Sequence, residues 1–183
     1  MTQIERITDI FHRRWTVPVL QILWIDKGAK YITLVHKAGA SPGAMRACIK
    51  DLLRRGWVIR NPGYGHPMRP EYVLTDKGAQ IALASDVLMK ALATLDLGGA
   101  HKSKWAVAVL FALAGGELRF SELRVRLGTV TDRALVLCLK PLVDAGAIER
   151  RVEPAFPPSV VYSVSISAQP VLATIERFVR AIQ

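Results

Sequence analysis

The stretch Gly39-Ala40-Ser41-Pro42-Gly43-Ala44-Met45-Arg46-Ala47-Cys48-Ile49-Lys50-Asp51-Leu52-Leu53-Arg54-Arg55-Gly56 decides how this chain folds. It contains a turn, a helix start, a two-faced helix and a stop. Ser41 carries a side-chain oxygen suited to accept from a free helix N–H, and Pro42 fits the first helical position, where a backbone donor has no partner anyway. Met45, Cys48, Ile49, Leu52 and Leu53 then recur at i, i+3, i+4, i+7 and i+8, which predicts a stripe facing a core. Gly56 supplies the C-terminal stop. The opposite face shows Gly43, Arg46, Ala47, Lys50 and Arg54. Small residues permit close approach and long cationic donors reach guanine edges or phosphates, so this face suits a DNA major groove.

Moving outward, Trp15 to Trp24 predicts an apolar helix closed by Asp26-Lys27-Gly28, and Tyr31 to Lys37 predicts a short second helix. Beyond Gly56 come a strand candidate, Trp57 to Arg60, a loop rich in Pro and Gly, Asn61 to Pro70, and a second strand candidate, Glu71 to Thr75. Three helices followed by a hairpin is the order of a winged helix-turn-helix. His66 and Arg69 lie in the stiffened wing loop, where a cation can reach the minor groove or the backbone. Arg60 ends the first strand of that wing. An amphipathic helix over the first dozen residues, marked by Ile4, Ile7, Ile10 and Phe11, lies outside this series.

The series occurs twice. Trp15 and Trp105 are 90 residues apart, and the same offset pairs Val17 with Val107, Leu20 with Leu110, Cys48 with Cys138, Lys50 with Lys140, Gly56 with Gly146 and Tyr72 with Tyr162. Between these clusters the register slips by one, since Leu34 matches Leu123 and Gly39 matches Gly128. The second copy predicts helices over Trp105 to Ala114 and Phe120 to Leu127, a third helix capped by Thr131, and strands over Ile148 to Val152 and Val160 to Ser165. An apolar-periodic segment follows each hairpin: Ile81 to Leu95 after the first, Ile175 to Ile182 after the second. The expectation is a mainly α fold with small β-hairpins, two tandem winged helix-turn-helix domains spanning 1–95 and 96–183 and forming a pseudo-dimer.

The copies differ on their outward faces. The inward stripe of the second is Leu135, Cys138, Leu139, Leu142 and Val143, while the outward positions are Arg133, Val136, Leu137, Lys140 and Asp144. Pro141 sits inside the helix, and Ser159 stands where the first wing has Arg69. Arg150 and Arg151 remain as phosphate contacts. The candidate DNA-binding residues are therefore Ser41, Gly43, Arg46, Lys50, Arg54, Arg60, His66 and Arg69 in the first copy, and Thr131, Arg133, Lys140, Arg150 and Arg151 in the second. The first copy is expected to carry most of the reading.

Composition agrees with a polyanionic partner. The net charge is +10, with residues 1–95 contributing +7 and residues 96–183 contributing +3. Excess cations favour nucleic acid through phosphate neutralisation and counterion release. Two cysteines, one per copy, rule out a disulfide framework and suit a reducing, cytoplasmic setting. No export signal is visible at the N-terminus, and the strongly apolar uncharged stretch Trp105 to Gly116 is too short to span a bilayer. His12, His36, His66 and His101 have no metal-ligand spacing and no paired acid or cysteine, so no catalytic or metal residue, cofactor or enzymatic activity is assigned. Cys48 and Cys138 fall on apolar stripes and read as buried structural thiols. The segment Leu97 to Ser103 reads as a hinge, since it lacks the glycine spacing of a phosphate loop.

Several short motifs resemble the HxlR-type branch of bacterial winged-helix transcription regulators, within the broader MarR-like group. In the second copy they are Lys104-Trp105, Arg119-Phe120-Ser121-Glu122-Leu123, Leu142 to Gly146, and Arg150-Arg151-Val152-Glu153-Pro154 with Pro157-Pro158 and Tyr162-Ser163. In the first they are Arg14-Trp15-Thr16, Lys50 to Gly56, and Pro67 with Glu71-Tyr72-Val73-Leu74-Thr75. The resemblance implies a cytoplasmic regulator of transcription that binds double-stranded DNA, normally as a homodimer of single domains on a palindromic site. Two copies in one chain would replace that homodimer with an internal pseudo-dimer, which leaves further homodimerisation open. No membrane partner is expected and no small-molecule effector is assigned. The rival reading is a protein-interaction or architectural DNA-binding module, with Val136, Leu137 and Pro141 as its surface.

Overall fold

The computed structural model describes residues 1–66, 68–95, 97, 103–154 and 159–183. The expected hinge and the tip of the second wing therefore lie largely outside the described residues. The chain divides into two compact units, Arg13–Val87 with Ile182, and Met1–His12 with Leu88–Ala181 and Gln183.

The first unit opens with α2 (Thr16–Ile25), after α1 (Gln3–His12) of the other unit, and continues through α3 (Tyr31–Ala38) and α4 (Pro42–Arg54). A two-stranded antiparallel hairpin follows, β1 (Val58–Arg60) and β2 (Tyr72–Leu74), with Val58 opposite Leu74 and Arg60 opposite Tyr72. α5 (Asp76–Ala93) contributes residues to both units. Apolar side chains of α2 and α4, among them Val19, Leu20, Met45 and Leu52, are fully buried and form the core with Leu34 of α3 and Val58 of β1. The predicted stripe on α4 holds at Met45, Cys48, Ile49 and Leu52, but Leu53 is 39% exposed. At about 100° per residue Leu53 stands at the edge of the stripe, beyond the reach of the core.

The second unit contains α1, α6 (Ala106–Leu113), α7 (Phe120–Leu127), α8 (Asp132–Asp144) and α9 (Gln169–Ala181). Its sheet has three antiparallel strands in the order β3 (Leu118–Arg119), β5 (Ser159–Val164), β4 (Ile148–Glu153), and a single 3₁₀ turn, Ile166–Ala168, leads into α9. α6 is nearly all buried, from Ala106 to Val109 and Leu110, as expected of a helix apolar on every side. The N-terminal helix packs here, against α6, with Phe11 edge-on to Phe178 of α9 at a centroid distance of 5.6 Å. The expected division at residue 95 followed the repeat, whereas the packing groups Met1–His12 and the end of α5 with the later residues. The physical cause is that Ile7 and Ile10, fully or nearly fully buried, complete the core around Phe178.

The third strand of this sheet is an addition to the sequence reading. Leu118 pairs with Tyr162 in the second unit, and in the first Ala29 forms a single bridge to Tyr72 through two backbone hydrogen bonds of 3.0 and 2.9 Å. Ala29 and Leu118 are 89 residues apart while Tyr72 and Tyr162 are 90 apart, so the one-residue slip is already in place ahead of the second helix. α4 and α8 each have 13 residues and both end before a glycine of left-handed conformation, Gly56 at φ 66° and Gly146 at φ 69°. A Cβ is disfavoured in that region, so glycine closes both helices.

Candidate nucleic-acid interface

α4 is positioned by its own first turn. The Ser41 Oγ accepts from the Ala44 N–H at 3.3 Å, and Pro42 follows at the first helical position. With Met45, Cys48, Ile49 and Leu52 turned inward, Gly43, Arg46, Ala47 and Lys50 are left exposed along one outer row. Among the described residues neither Arg46 nor Lys50 makes a hydrogen bond or ion pair. Two long cationic side chains are thus available beside two small residues.

Arg54 stands apart from this row. Its guanidinium binds Asp51, a residue only 4% exposed, which also takes Arg55 Nε at 2.7 Å and Arg13 Nε at 3.3 Å. A carboxylate removed from water is tolerable only when paired and hydrogen-bonded. Arg54 and Arg55 donate hydrogen bonds to Asp51 and Arg13 adds an ion pair, which ties the entry to α2 onto α4. Arg54 shares in that cluster while its side chain stays 69% exposed. Sequence reading placed it on the DNA face because its spacing from Lys50 is helical, and gave no role to Asp51.

Arg60 is also a strut. It donates to Glu71 Oε1 at 2.7 Å and lies over the Tyr64 ring, 5.3 Å from its centroid. Glu71 is 7% exposed, and its other oxygen accepts from the Tyr31 N–H at 3.3 Å, one of the free donors at the start of α3. One buried carboxylate therefore links the wing to the second helix. At the wing tip Arg69 is exposed and its guanidinium lies against Gly63, in the space a side chain there would fill. His66 is exposed, and its Nδ1 accepts from the Met68 N–H at 3.3 Å. Pro67 lies outside the described residues.

In the second unit the Thr131 Oγ1 caps α8 by accepting from the Ala134 N–H at 3.2 Å. The outer row here is Arg133, Val136, Leu137, Lys140, Pro141 and Asp144, all exposed. The helix runs through Pro141 to Asp144. Lys140 is held by Asp144 at 2.8 Å, and Arg124 of α7 by Asp132 at 2.9 Å. Across the sheet Arg151 pairs with Glu117 at 2.6 Å and Arg119 with Glu153 at 3.3 Å. Of the five residues singled out here, Arg133 and Arg150 are exposed and make no such contact among the described residues, while Lys140 and Arg151 are already neutralised. A recess of about 240 Å³ between α8 and the wing is lined by Val136, Leu139, Lys140, Val143, Arg150 and Tyr162.

Both thiols are buried, and burial pushes Cys48 and Cys138 each up to about 11. At neutral pH they are protonated and weakly nucleophilic. Among the described residues no group of three or more His, Cys, Asp or Glu side chains is placed to hold a metal ion, and no helix is long and apolar enough to cross a membrane.

The HxlR-like helix-turn-helix family model matches residues 101–182, most of the second unit. An HTH-type transcriptional regulator of Halalkalibacterium halodurans is 36% identical over 84 residues, covering 45% of this chain and 72% of that protein. The chain belongs to the HxlR-like helix-turn-helix family. A regulator of Methanothermobacter thermautotrophicus shares 35% identity over 46% of this chain and 62% of its own length, and YtfH of Escherichia coli 40% over 34% and 50%. The chain thus spans half to about 60% of the length of these two relatives of the family. A solved structure of a MarR-family transcriptional regulator from Porphyromonas gingivalis aligns at 24% identity with a TM-score of 0.43, over 52% of this chain and 84% of that one.

Proposed function

We propose that this member of the HxlR-like family is a sequence-specific regulator of transcription that binds double-stranded DNA, and that its affinity comes mainly from α4 and the wing of the first unit. The observation that carries the reading is the pair Arg46 and Lys50, exposed and without acidic partners among the described residues on the outer row of a capped third helix. Their counterparts on α8 are an apolar Val136 and a Lys140 already bound to Asp144. Gly43, Ser41, His66 and Arg69 flank the first row, while Arg54 and Arg60 support it from behind. In the second unit Thr131 caps the helix, Arg133 and Arg150 offer phosphate contacts, and Lys140 and Arg151 do so only after leaving their acids.

The tandem arrangement belongs to the same proposal. Two winged helix-turn-helix domains, divided in sequence as 1–95 and 96–183 but with α1 and the end of α5 grouped with the second, act as an internal pseudo-dimer, so one chain brings two unequal reading heads to its operator in the cytoplasm.

The test is selection of bound fragments from a genomic or randomised duplex library by the full chain, followed by affinity measurements with Arg46→Ala/Lys50→Ala. A discrete motif whose binding falls steeply with salt and drops about tenfold or more in the double variant supports the reading. Sequence-blind recovery indicates an architectural role. Absence of enrichment favours a protein-interaction module, the reading that the exposed Val136 and Leu137 would otherwise support.

A further inference from the structure

On α8 the outer row places two apolar side chains where α4 places Arg46 and Ala47. Val136 is 52% exposed and Leu137 63% exposed. Keeping such groups in water forfeits the free energy their burial would yield, so their position matters. They stand mid-row on a helix that shares three features of α4: a hydroxyl cap, here at Thr131, the length of 13 residues and the closing glycine. Lys140, the next polar side chain after them on the row, is paired with Asp144, and Asp132 beside the row with Arg124. Arg133, one turn earlier, and Arg150, on β4 beside the recess, remain exposed for phosphate contacts.

A major groove offers one apolar group on its floor, the C5 methyl of thymine. We infer that Val136 and Leu137 are specificity-determining residues that read thymine methyl groups, so that the two units recognise operator segments of different base composition. Arg46 and Lys50 suit guanine O6 and N7, whereas the α8 row has no free donor at the matching position. The operator is accordingly non-palindromic, with thymines in the segment read by α8. This inference rests on the DNA-binding reading above.

The experiment uses the full chain and the duplex it selects. Thymines are replaced by deoxyuridine, which removes only the methyl group, first in one half of the site and then in the other. In the α8 half each methyl removed weakens wild-type binding by about fourfold, the worth of one buried methylene-sized group. Replacement in the other half costs less per methyl than in the α8 half, since Arg46 and Lys50 are polar readers and Ala47 offers only one small apolar group. Val136→Ala/Leu137→Ala binds the parent duplex more weakly and no longer distinguishes thymine from deoxyuridine. Both positions are exposed, so the variant folds, and the wild-type comparison stands without it.

Equal binding of both duplexes by the wild type overturns the inference while leaving the proposed function intact, as does a selected site with no thymine in either half. A double variant that binds every duplex as the wild type does shows that this row faces a protein instead, and also overturns it. If the chain binds no duplex, the proposed function falls and this inference with it.

Discussion

α4 and α8 are built alike and finished differently. Each is a 13-residue helix with a hydroxyl cap accepting from the third residue onward and a glycine at its end, and each buries a cysteine and the leucine four positions later. Their outer rows diverge: Arg46, Ala47 and Lys50 on one, Val136, Leu137 and an acid-bound Lys140 on the other. Even the position after the lysine differs, a buried Asp51 gathering three arginines against an exposed Pro141. Inward positions must match a densely packed core, so they tolerate little change. Outward positions meet only water and a ligand, and there two helices of like build are free to differ in chemistry.

The comparison can be broken most forcefully by reversing charge. Arg46→Glu/Lys50→Glu is expected to lower operator affinity by at least about 100-fold, because donors to DNA become repelling carboxylates. Fluorescence anisotropy on the selected duplex measures it. Asp51→Asn comes next and acts on stability. It leaves the arginine cluster without its anion and destabilises the first unit by about 2 kcal/mol. Hydrogen exchange should show the loss within residues 13–87 and not in α8, whose matching Pro141 takes part in no such cluster.

Much of this contrast was legible in the sequence, and the reasons for the remainder are physical. Ser41, Pro42 and Gly56 mark helix ends by local chemistry, so α4 lies within a residue or so of expectation, and α8 starts at the expected cap, Thr131. Paired acids were harder to see. Asp51 meets Arg13 across 38 residues, and Arg151 meets Glu117 across 34, distances at which no periodicity reports a contact. A charged residue on a helix reads as solvated until its partners are known. Leu118–Arg119 is too short to alternate visibly as a strand. The stripe on α1 announced that the helix packs, but gave no sign that its partners would be α6 and Phe178.

Smaller effects sharpen the same contrast. Arg54→Ala should alter operator affinity less than about threefold despite its place near the reading face, since its guanidinium belongs to an exposed-side ion pair with Asp51. A loss as large as that of Arg46→Ala would return Arg54 to the DNA row. The thiols should behave identically in both units. Folded Cys48 and Cys138 hold their protons up to about 11, against an ordinary value of 9.0. Their contribution to stability is therefore complete below pH 9 and lost as the pH rises toward 11. Alkylation by iodoacetamide at pH 8 should be negligible in the folded protein and rapid in urea.

The most direct measurement sets two double variants against one another on the selected operator at a single salt concentration. Arg46→Ala/Lys50→Ala removes the exposed, unpaired candidates on α4, and Arg133→Ala/Arg150→Ala removes the two exposed, unpaired candidates singled out in the second unit. If affinity resides mainly in the first unit, the first variant loses at least about ten times more binding than the second, because base-edge contacts outweigh isolated phosphate contacts. Equal losses, or a larger loss from Arg133→Ala/Arg150→Ala, would contradict the unequal division of labour between the two units.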